Sequence, residues 1–259
     1  MKTHRPRKRF GQHFLKDPGV IDAILRAIAP AKTDTLVEIG PGLGALTGSL
    51  ARTAGSLHLV ELDRDLAAGL RKRWAEDESV TVHEADALRF DFAALGDDLR
   101  IVGNLPYNIS TPLLFHLLEQ RRAVRDLHFM LQKEVVDRIA AVPGNKAWGR
   151  LSVMLQTWLT AESLFDVEPE AFDPPPAVRS AVVRLYPRAA SAAQPDDADF
   201  LSKLLSSAFA QRRKTLRNAL RGIADETALE GAGIDPSARA ETVDVAAWIR
   251  LSNRLASGG

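Results

Sequence analysis

The fold of this protein is decided by the stretch TLVEIGPGLG at positions 35–44 of the 259-residue chain. Residues 35–39 form a short apolar run that is typical of a buried strand. Glycines at positions 40, 42 and 44 follow at once, and a helical pattern begins at Ala45. A glycine turn between a strand and a helix lets the backbone approach a ligand at the helix N-terminus. The stretch therefore predicts a strand–loop–helix unit with a ligand at its loop.

Strands and helices alternate along the chain after this unit. Further strands are predicted at 57–60, 80–82, 100–102 and 127–131, and helices at 17–28, 45–52, 65–75, 111–119 and 133–141. Two late strands, within Ser152–Leu159 and Ala181–Tyr186, are expected to form a hairpin-like edge of the same sheet. The alternation predicts an α/β fold with a mostly parallel sheet that is covered on both faces. After a linker-like stretch near residue 188, the pattern is helical only.

Composition excludes several classes of protein. The chain is 46% hydrophobic and 26% charged, which is ordinary for a globular protein and argues against disorder. It has no cysteine, so disulfides and thiolate metal sites are impossible, as expected in a reducing compartment. No secretory or membrane segment is visible in the sequence. We therefore expect a cytoplasmic protein.

The net charge of +1 is unevenly distributed. Residues 1–26 contain seven lysines and arginines against two aspartates, and a second basic cluster spans 212–221. Two basic patches on a neutral body favour a polyanionic partner. The alternative for each patch by itself is a solvated tail or a solvated helix face.

Acidic residues follow the next two predicted strands. Glu61 lies 21 positions after Gly40, and Asp86 follows the third strand. At the carboxyl edge of a parallel sheet, Glu61 can accept the ribose hydroxyls of a nucleoside and Asp86 an adenine amino group. Taken singly, Glu61 is equally well explained as a surface carboxylate, and Asp86 as the cap of a turn. With the glycine loop they predict a nucleoside cofactor, either a nicotinamide dinucleotide or S-adenosylmethionine.

The segment Asn104-Leu105-Pro106-Tyr107 follows the fourth strand at the same edge. The exocyclic amine of adenine is a poor nucleophile because its lone pair is delocalised into the ring. Two acceptors for its N–H groups direct the lone pair towards a sulfonium methyl, and we expect them to be the Asn104 oxygen and the Pro106 carbonyl. Tyr107 offers a ring on which an unpaired base stacks. Out of context, the segment is an ordinary Asn-x-Pro turn.

The sequence resembles the ribosomal RNA adenine N6,N6-dimethyltransferase family over nearly its whole length, and within it the bacterial small-subunit (16S) rRNA enzymes. Besides the residues above, the resemblance is carried by RKRFGQHFL at 7–15, QKEV at 132–135, WGRLSV at 148–153, FDPPPAVRS at 172–180 and FAQRRKTLRN at 209–218. Single blocks are unspecific, but their occurrence in this order is highly specific. One departure is His13, where many relatives carry asparagine.

The resemblance implies a fold, a reaction and a partner. The expected fold is a Rossmann-like class I methyltransferase domain at 1–188, with a mostly parallel seven-stranded sheet, and a small all-α rRNA-binding domain at 189–259. The expected reaction is dimethylation, with S-adenosylmethionine, of N6 of two adjacent adenosines in a 3′-terminal hairpin loop of 16S rRNA. The partner would be the pre-30S subunit, and the enzyme a cytoplasmic monomer.

The resemblance also implies roles for individual residues. The cofactor residues would be His13, Leu15, Gly40, Glu61, Asp86 and Asn104. The catalytic residues would be Asn104, Pro106, Tyr107 and Phe172, with Phe172 a second aromatic wall opposite Tyr107. RNA contacts would come from Arg7, Lys8, Arg9, Arg212, Arg213, Lys214 and Arg217, and no metal is expected. The alternative for Phe172 is a core aromatic residue that anchors a rigid loop.

Three other functions compete with this interpretation. A nicotinamide-dependent oxidoreductase is disfavoured because the G-x-G-x-G spacing differs from G-x-G-x-x-G and no Tyr-x-x-x-Lys set is visible. A ribosome-assembly factor would need RNA binding without chemistry. The large-subunit rRNA resistance methyltransferase shares much of the pattern, but Leu105 and the block at 211–218 favour the small-subunit enzyme.

Overall fold

A seven-stranded sheet organises the computed structural model, which describes residues 13–189 and 191–256. In chain order the strands are β1 (Phe14–Leu15), β2 (Thr35–Ile39), β3 (Ser56–Glu61), β4 (Val80–Glu84), β5 (Leu99–Asn104), β6 (Val124–Gln132), β7 (Leu159–Val167), β8 (Phe172–Asp173) and β9 (Ser180–Pro187). The sheet order is β4-β3-β2-β5-β6-β9-β7, and β1 pairs separately with β8. Strands β2 to β6 are parallel and β9 is antiparallel to β6. The predicted mostly parallel sheet of seven strands is confirmed.

Helices connect the strands and make up the C-terminal part. They are α1 (Pro18–Ile28), α2 (Thr47–Thr53), α3 (Arg64–Arg73), α4 (Ser110–Glu119), α5 (Lys133–Ile139), α6 (Arg150–Trp158), α7 (Ala198–Ala210), α8 (Leu216–Ala219), α9 (Glu226–Gly231) and α10 (Val245–Ala256). Helix α1 shows why they form: the Asp17 side chain accepts a hydrogen bond from the Val20 N–H, and Pro18 fixes the first turn. The helix buries Ile24 and Ile28 and ends at Ala29, which has a left-handed φ of 46°. Helix α1 is therefore predicted correctly from its cap and its apolar spacing.

A buried ion network fixes α1 to the amino-terminal edge of the sheet. The Arg100 guanidinium donates to Asp34 at 2.8 Å, to Asp126 at 2.9 Å and to the Ile28 carbonyl at 2.6 Å. Burial by itself raises the pKa of Asp126, but His128 and Arg100 outweigh burial and lower it to about 2. The network holds the C-terminal end of α1 against β2, β5 and β6. The segment that starts at His13 directly precedes the other end of this helix.

One late element differs from the sequence-based expectation. Residues 152–159 were expected to contain a strand, but α6 occupies Arg150–Trp158 and the strand β7 follows it. The Ser152 hydroxyl accepts a hydrogen bond from the Gly149 N–H at 3.0 Å and so caps the helix. Val153 and Leu155 are both fully buried, so this helix is packed on more than one side. A helix of this kind has a continuous apolar run, which the sequence alone does not distinguish from a buried strand. The other late strand was predicted correctly and is β9.

Tertiary contacts divide the chain into two compact units. The first extends to Val136 and includes Glu162–Pro187, whereas the second contains Asp137–Ala161 and the chain from Arg188 onwards. In the second unit, α10 packs against α6, α7 and α9, and the Trp148 indole donates to the Val243 carbonyl at 3.1 Å. Residues 137–161 fall in the second unit because α6 packs with α7 and α10. The division into a catalytic domain at 1–188 and an RNA-binding domain at 189–259 stays a prediction. No helix in the described part of the chain has the length and apolar character to span a membrane.

Candidate active site

A pocket opens in the first unit at the carboxyl edge of β2, β3, β4 and β5, where parallel sheets bind ligands. The predicted site residues that line it are His13, Leu15, Gly40, Glu61, Asp86, Asn104, Pro106 and Tyr107. The structure thus brings together residues that are almost a hundred positions apart in the chain. Their individual roles stay predictions.

The glycine loop forms one wall of the pocket in a conformation that side chains oppose. Gly40, Gly42 and Gly44 have φ angles of 64°, 58° and 85°, in the left-handed region. A Cβ on Gly42 would also lie 3.1 Å from the Phe14 ring. Glycine at position 42 is therefore required both by the backbone and by the close packing of β1 over the loop.

Glu61 is buried at the end of β3 and is held by backbone donors. One carboxylate oxygen accepts from the Gly42 N–H at 3.2 Å and the other from the Asp63 N–H at 2.9 Å. Burial raises the pKa of this carboxyl, although both hydrogen bonds oppose the shift. A carboxylate has about four acceptor sites, so these backbone bonds leave Glu61 with capacity to accept a hydroxyl group of a ligand.

Glu38 is a second buried carboxyl in the pocket that sequence reasoning did not assign to a role. Its side chain is 3% exposed and accepts the Thr47 hydroxyl at 2.6 Å. Burial raises its pKa to about 7, the Thr47 bond opposes the shift, and nearby Glu61 adds to it. The available signal was a glutamate inside an otherwise apolar strand, directly before the glycine loop. Glu38 and Glu61 therefore place two buried carboxyl groups side by side in the lining of the pocket, each with its pKa raised by burial.

Asp86 lies at the edge of the pocket in a tight turn after β4. One carboxylate oxygen accepts from the Leu88 N–H at 3.0 Å, and the turn starts where the Ala85 N–H bonds to the Glu61 carbonyl at 3.0 Å. The turn-capping role and the ligand role are therefore compatible, because the second oxygen remains for a ligand.

In the described part of the chain, no group of three or more His, Cys, Asp or Glu side chains is arranged to hold a metal ion.

The turn after β5 places Asn104 in the pocket, where its role stays a prediction, and contradicts the role predicted for Pro106. The Asn104 amide nitrogen donates to the His13 carbonyl at 2.9 Å. The Pro106 carbonyl already accepts from the Ile109 N–H and the Ser110 hydroxyl, both at 3.1 Å. These two bonds use both of its lone pairs, so this carbonyl has none for a target amine.

Leu105 is the neighbouring residue whose carbonyl is not bonded in this way. It lines the pocket, and among the described residues no donor is bonded to its carbonyl. Sequence alone did not reveal the bonding of the Pro106 carbonyl, because the direction of this carbonyl depends on where α4 begins. Helix α4 begins at Ser110, so the Pro106 carbonyl is recruited into its first turn.

Phe172 does not form the predicted aromatic wall. Its side chain is 0% exposed, belongs to the core cluster under α1, and does not line the pocket. In the short β1–β8 pair Phe172 lies opposite Leu15 and anchors the loop that follows, which is the alternative given above. The aromatic neighbour of Tyr107 is instead His13, with ring centroids 5.8 Å apart and planes inclined by 26°.

The predicted RNA contacts are only partly available. Arg7, Lys8 and Arg9 lie outside the described residues. Arg212 donates to the Lys146 carbonyl at 2.9 Å and forms an ion pair with Glu241 at 3.2 Å, so it braces its own unit. Arg213 and Lys214 are exposed, and Arg217 forms an exposed ion pair with Glu226. Of the second basic patch, Arg213 and Lys214 are the side chains best placed for a polyanion.

The sheet order, the glycine loop after β2 and the acids after β3 and β4 define a Rossmann-like class I methyltransferase. The chain belongs to the ribosomal RNA adenine dimethylase family, whose model matches residues 3–257.

Comparisons with individual proteins agree with this family. Two curated relatives are both named ribosomal RNA small subunit methyltransferase A. The one from Methylococcus capsulatus is 55% identical over 97% of this chain and 98% of its own. The one from Bordetella petrii is 56% identical over 100% and 98%.

Two solved structures are also similar. A dimethyladenosine transferase from Plasmodium falciparum has a TM-score of 0.79 and 26% identity, covering 92% of this chain and 96% of that one. The 23S rRNA methyltransferase ErmE has a TM-score of 0.75 and 27% identity, covering 94% and 99%.

Proposed function

We propose that this protein uses S-adenosylmethionine to dimethylate N6 of two adjacent adenosines in a 3′-terminal hairpin loop of 16S rRNA, in the cytoplasm during small-subunit assembly. The observation that carries the proposal is the Asn104 amide, whose nitrogen is bonded to His13 while its oxygen shares a pocket with Glu61 and Asp86. The two relatives named as small-subunit enzymes support the choice of 16S rRNA.

The pocket fits the proposed cofactor. Glu61 has acceptor capacity for a ribose hydroxyl, and the second oxygen of Asp86 suits an adenine amino group. The left-handed loop at Gly40 lets a ligand approach the backbone closely. When bound, the cofactor supplies an electrophilic methyl group on a positively charged sulfur.

The residues after β5 are arranged for the target amine. The Asn104 oxygen and the Leu105 carbonyl are two acceptors on neighbouring residues, and they can hold the two N–H groups of adenine N6. Their hydrogen bonds direct the nitrogen lone pair away from the ring and increase its nucleophilicity. Tyr107 offers its ring to a base that has been flipped out of its stack. No strong base is required, because the methylated amine loses its proton readily.

Phosphate contacts would supply affinity and register. We assign them to the helical part at 189–259, through Arg213, Lys214 and Arg217, and to the basic arm with Arg7, Lys8 and Arg9. Residues 1–188 would supply the catalytic domain, and we expect the protein to act as a monomer.

Transfer of tritiated methyl groups to undermethylated small ribosomal subunits tests the proposal. We expect N6,N6-dimethyladenosine in 16S rRNA, identified by mass spectrometry, and none in large subunits treated in parallel. Dimethyladenosine in 23S rRNA alone would refute the choice of substrate, since the likeness to ErmE makes that the nearest rival. Binding of NAD in preference to S-adenosylhomocysteine would refute the cofactor.

A further inference from the structure

His13 contacts three separate parts of the target-base side of the pocket. Its carbonyl accepts from the Asn104 amide nitrogen at 2.9 Å, and its Nδ1 lies 2.8 Å from the Pro174 carbonyl oxygen. Its ring stacks on Tyr107 at 5.8 Å. These partners are 91, 161 and 94 positions away in the chain, so one residue contacts three segments that are distant in sequence. The β1–β8 pair also joins the segments of His13 and Pro174.

The backbone carbonyl of His13 decides which atom Asn104 presents to the pocket. A carbonyl oxygen can only accept a hydrogen bond, so the Asn104 amide must turn its nitrogen towards His13. The opposite orientation would bring two oxygens together. The amide oxygen is therefore the atom available to a ligand, and it is the atom that must accept an N–H from the target amine.

The imidazole fixes the other two elements. The Pro174 carbonyl also only accepts, so Nδ1 of His13 carries a hydrogen and Nε2 of the neutral ring carries none. The same ring covers one face of Tyr107, whose hydroxyl is hydrogen-bonded to the Ser180 hydroxyl at 2.7 Å. Tyr107 is thus contacted at its ring by His13 and at its hydroxyl by Ser180.

We propose, resting on the function proposed above, that His13 is a positioning residue for methyl transfer in addition to lining the cofactor pocket. Its carbonyl orients the Asn104 amide, and its imidazole holds Tyr107 and the Pro174 loop in place for the target adenine. His13 therefore acts on the rate of transfer through the residues that contact the base.

Three substitutions separate the contributions of the side chain. His13→Asn keeps an N–H at the position of Nδ1 and loses the ring that covers Tyr107. His13→Phe keeps a ring and loses the donor to Pro174, and His13→Leu loses both. The matched control is His116→Leu, because the His116 imidazole is also bonded to a backbone carbonyl, that of Phe90, at 2.8 Å and packs near Phe92, away from the pocket.

The kinetic measurement is the single-turnover rate of methyl transfer to RNA at saturating cofactor, with the Kd of S-adenosylhomocysteine measured in parallel. We expect His13→Leu to lower the rate by about tenfold or more, with the Asn and Phe variants in between, since small displacements of reacting groups are costly. Because His13 also lines the cofactor pocket, we expect the Kd to rise as well, but the rate at saturating cofactor should fall by more than the change in Kd accounts for. The control should resemble the wild type in both.

A spectroscopic measurement on the cofactor-free protein tests the geometry without activity. Nitrogen-15 NMR of the imidazoles should show His13 as the Nδ1–H tautomer, in the wild type and in the His116→Leu control. An Nε2–H tautomer, or a His13→Leu variant with the wild-type rate, would overturn the inference. So would a rate loss that the weaker binding of S-adenosylhomocysteine fully accounts for. Wild-type protein that binds S-adenosylhomocysteine but methylates no RNA would instead refute the proposed function.

Discussion

The two sides of the pocket are built in different ways. On the cofactor side, Glu61 is bonded to residues 2 and 19 positions away, and Asp86 to a residue 2 positions away. On the target-base side, the bonds of His13 and Tyr107 join residues that are 73 to 161 positions apart. Backbone turns next to the strands make the first side, whereas packing between distant segments makes the second.

This difference predicts a division of labour between the two sides. Changes on the cofactor side should weaken binding of S-adenosylhomocysteine, whereas changes on the base side should slow methyl transfer. A substitution on one side that produced mainly the effect expected of the other side would show that the pocket works as one unit.

The largest effect is expected from Asn104→Ala. The variant loses the amide oxygen that accepts the target amine, and methyl transfer should fall by about a hundredfold or more, as when a preorganised hydrogen-bonding group is removed. The measurement is the rate of dimethyladenosine formation in 16S rRNA at saturating cofactor. Asn253→Ala, which removes an asparagine bonded to the backbone at Asp196 and Gln194, is the control. Undiminished transfer by Asn104→Ala would show that our catalytic assignment is wrong.

Glu61→Gln should weaken S-adenosylhomocysteine binding by about ten- to a hundredfold, because charged hydrogen bonds contribute about 1.5–3 kcal/mol. Glu84→Gln is the matched control, since Glu84 lies beside Glu61 in the sheet register and pairs with exposed Arg64 and Arg71. Calorimetric titration measures both affinities. Equal affinities for the two variants would remove Glu61 from the cofactor site.

Glu38→Gln should change how stability depends on pH. The pKa of Glu38 is raised by folding from 4.5 to about 7, so the native state binds the proton more tightly than the unfolded state. The wild type should therefore lose stability as pH rises through that window, by on the order of 3 kcal/mol from this group, and the variant should lack this contribution. Urea unfolding without cofactor, at pH 4.5 and pH 8, measures the difference. A variant whose stability relative to wild type is the same at both pH values would contradict the burial of this charge.

Phe172→Leu should have the smallest effect on activity. The side chain is buried in the core, so the change should lower the free energy of unfolding by about 1–2 kcal/mol. The KM for RNA should stay within about twofold, whereas Tyr107→Leu should raise it by about tenfold through lost stacking. Steady-state kinetics at a temperature where both variants are folded makes the comparison. A KM change for Phe172→Leu as large as that for Tyr107→Leu would restore Phe172 as a wall of the base site.

Sequence reasoning succeeded where the chemistry is local. The glycine loop, Glu61 and Asp86 each follow a strand directly, so the strand pattern places them at one edge of the sheet. It failed for Pro106 because the direction of a carbonyl depends on the first turn of α4, and for Phe172 because the pattern does not tell which face of β8 points inward. Sequence reasoning assigned no role to Glu38, because the apolar run of β2 was interpreted only as a buried strand. The structure shows that Glu38 is bonded to Thr47.

The long-range hydrogen bonds of the target-base side form late during synthesis of the protein. The hydrogen bond of His13 cannot form until Pro174 has been synthesised, and that of Tyr107 cannot form until Ser180 has been synthesised. Residues 38–86 of the cofactor side have all been synthesised well before that point. At about 5–20 residues per second, several seconds pass between the synthesis of residue 107 and that of residue 180. During that interval the nascent chain contains every residue of the cofactor side, but not the partners that hold its base side together.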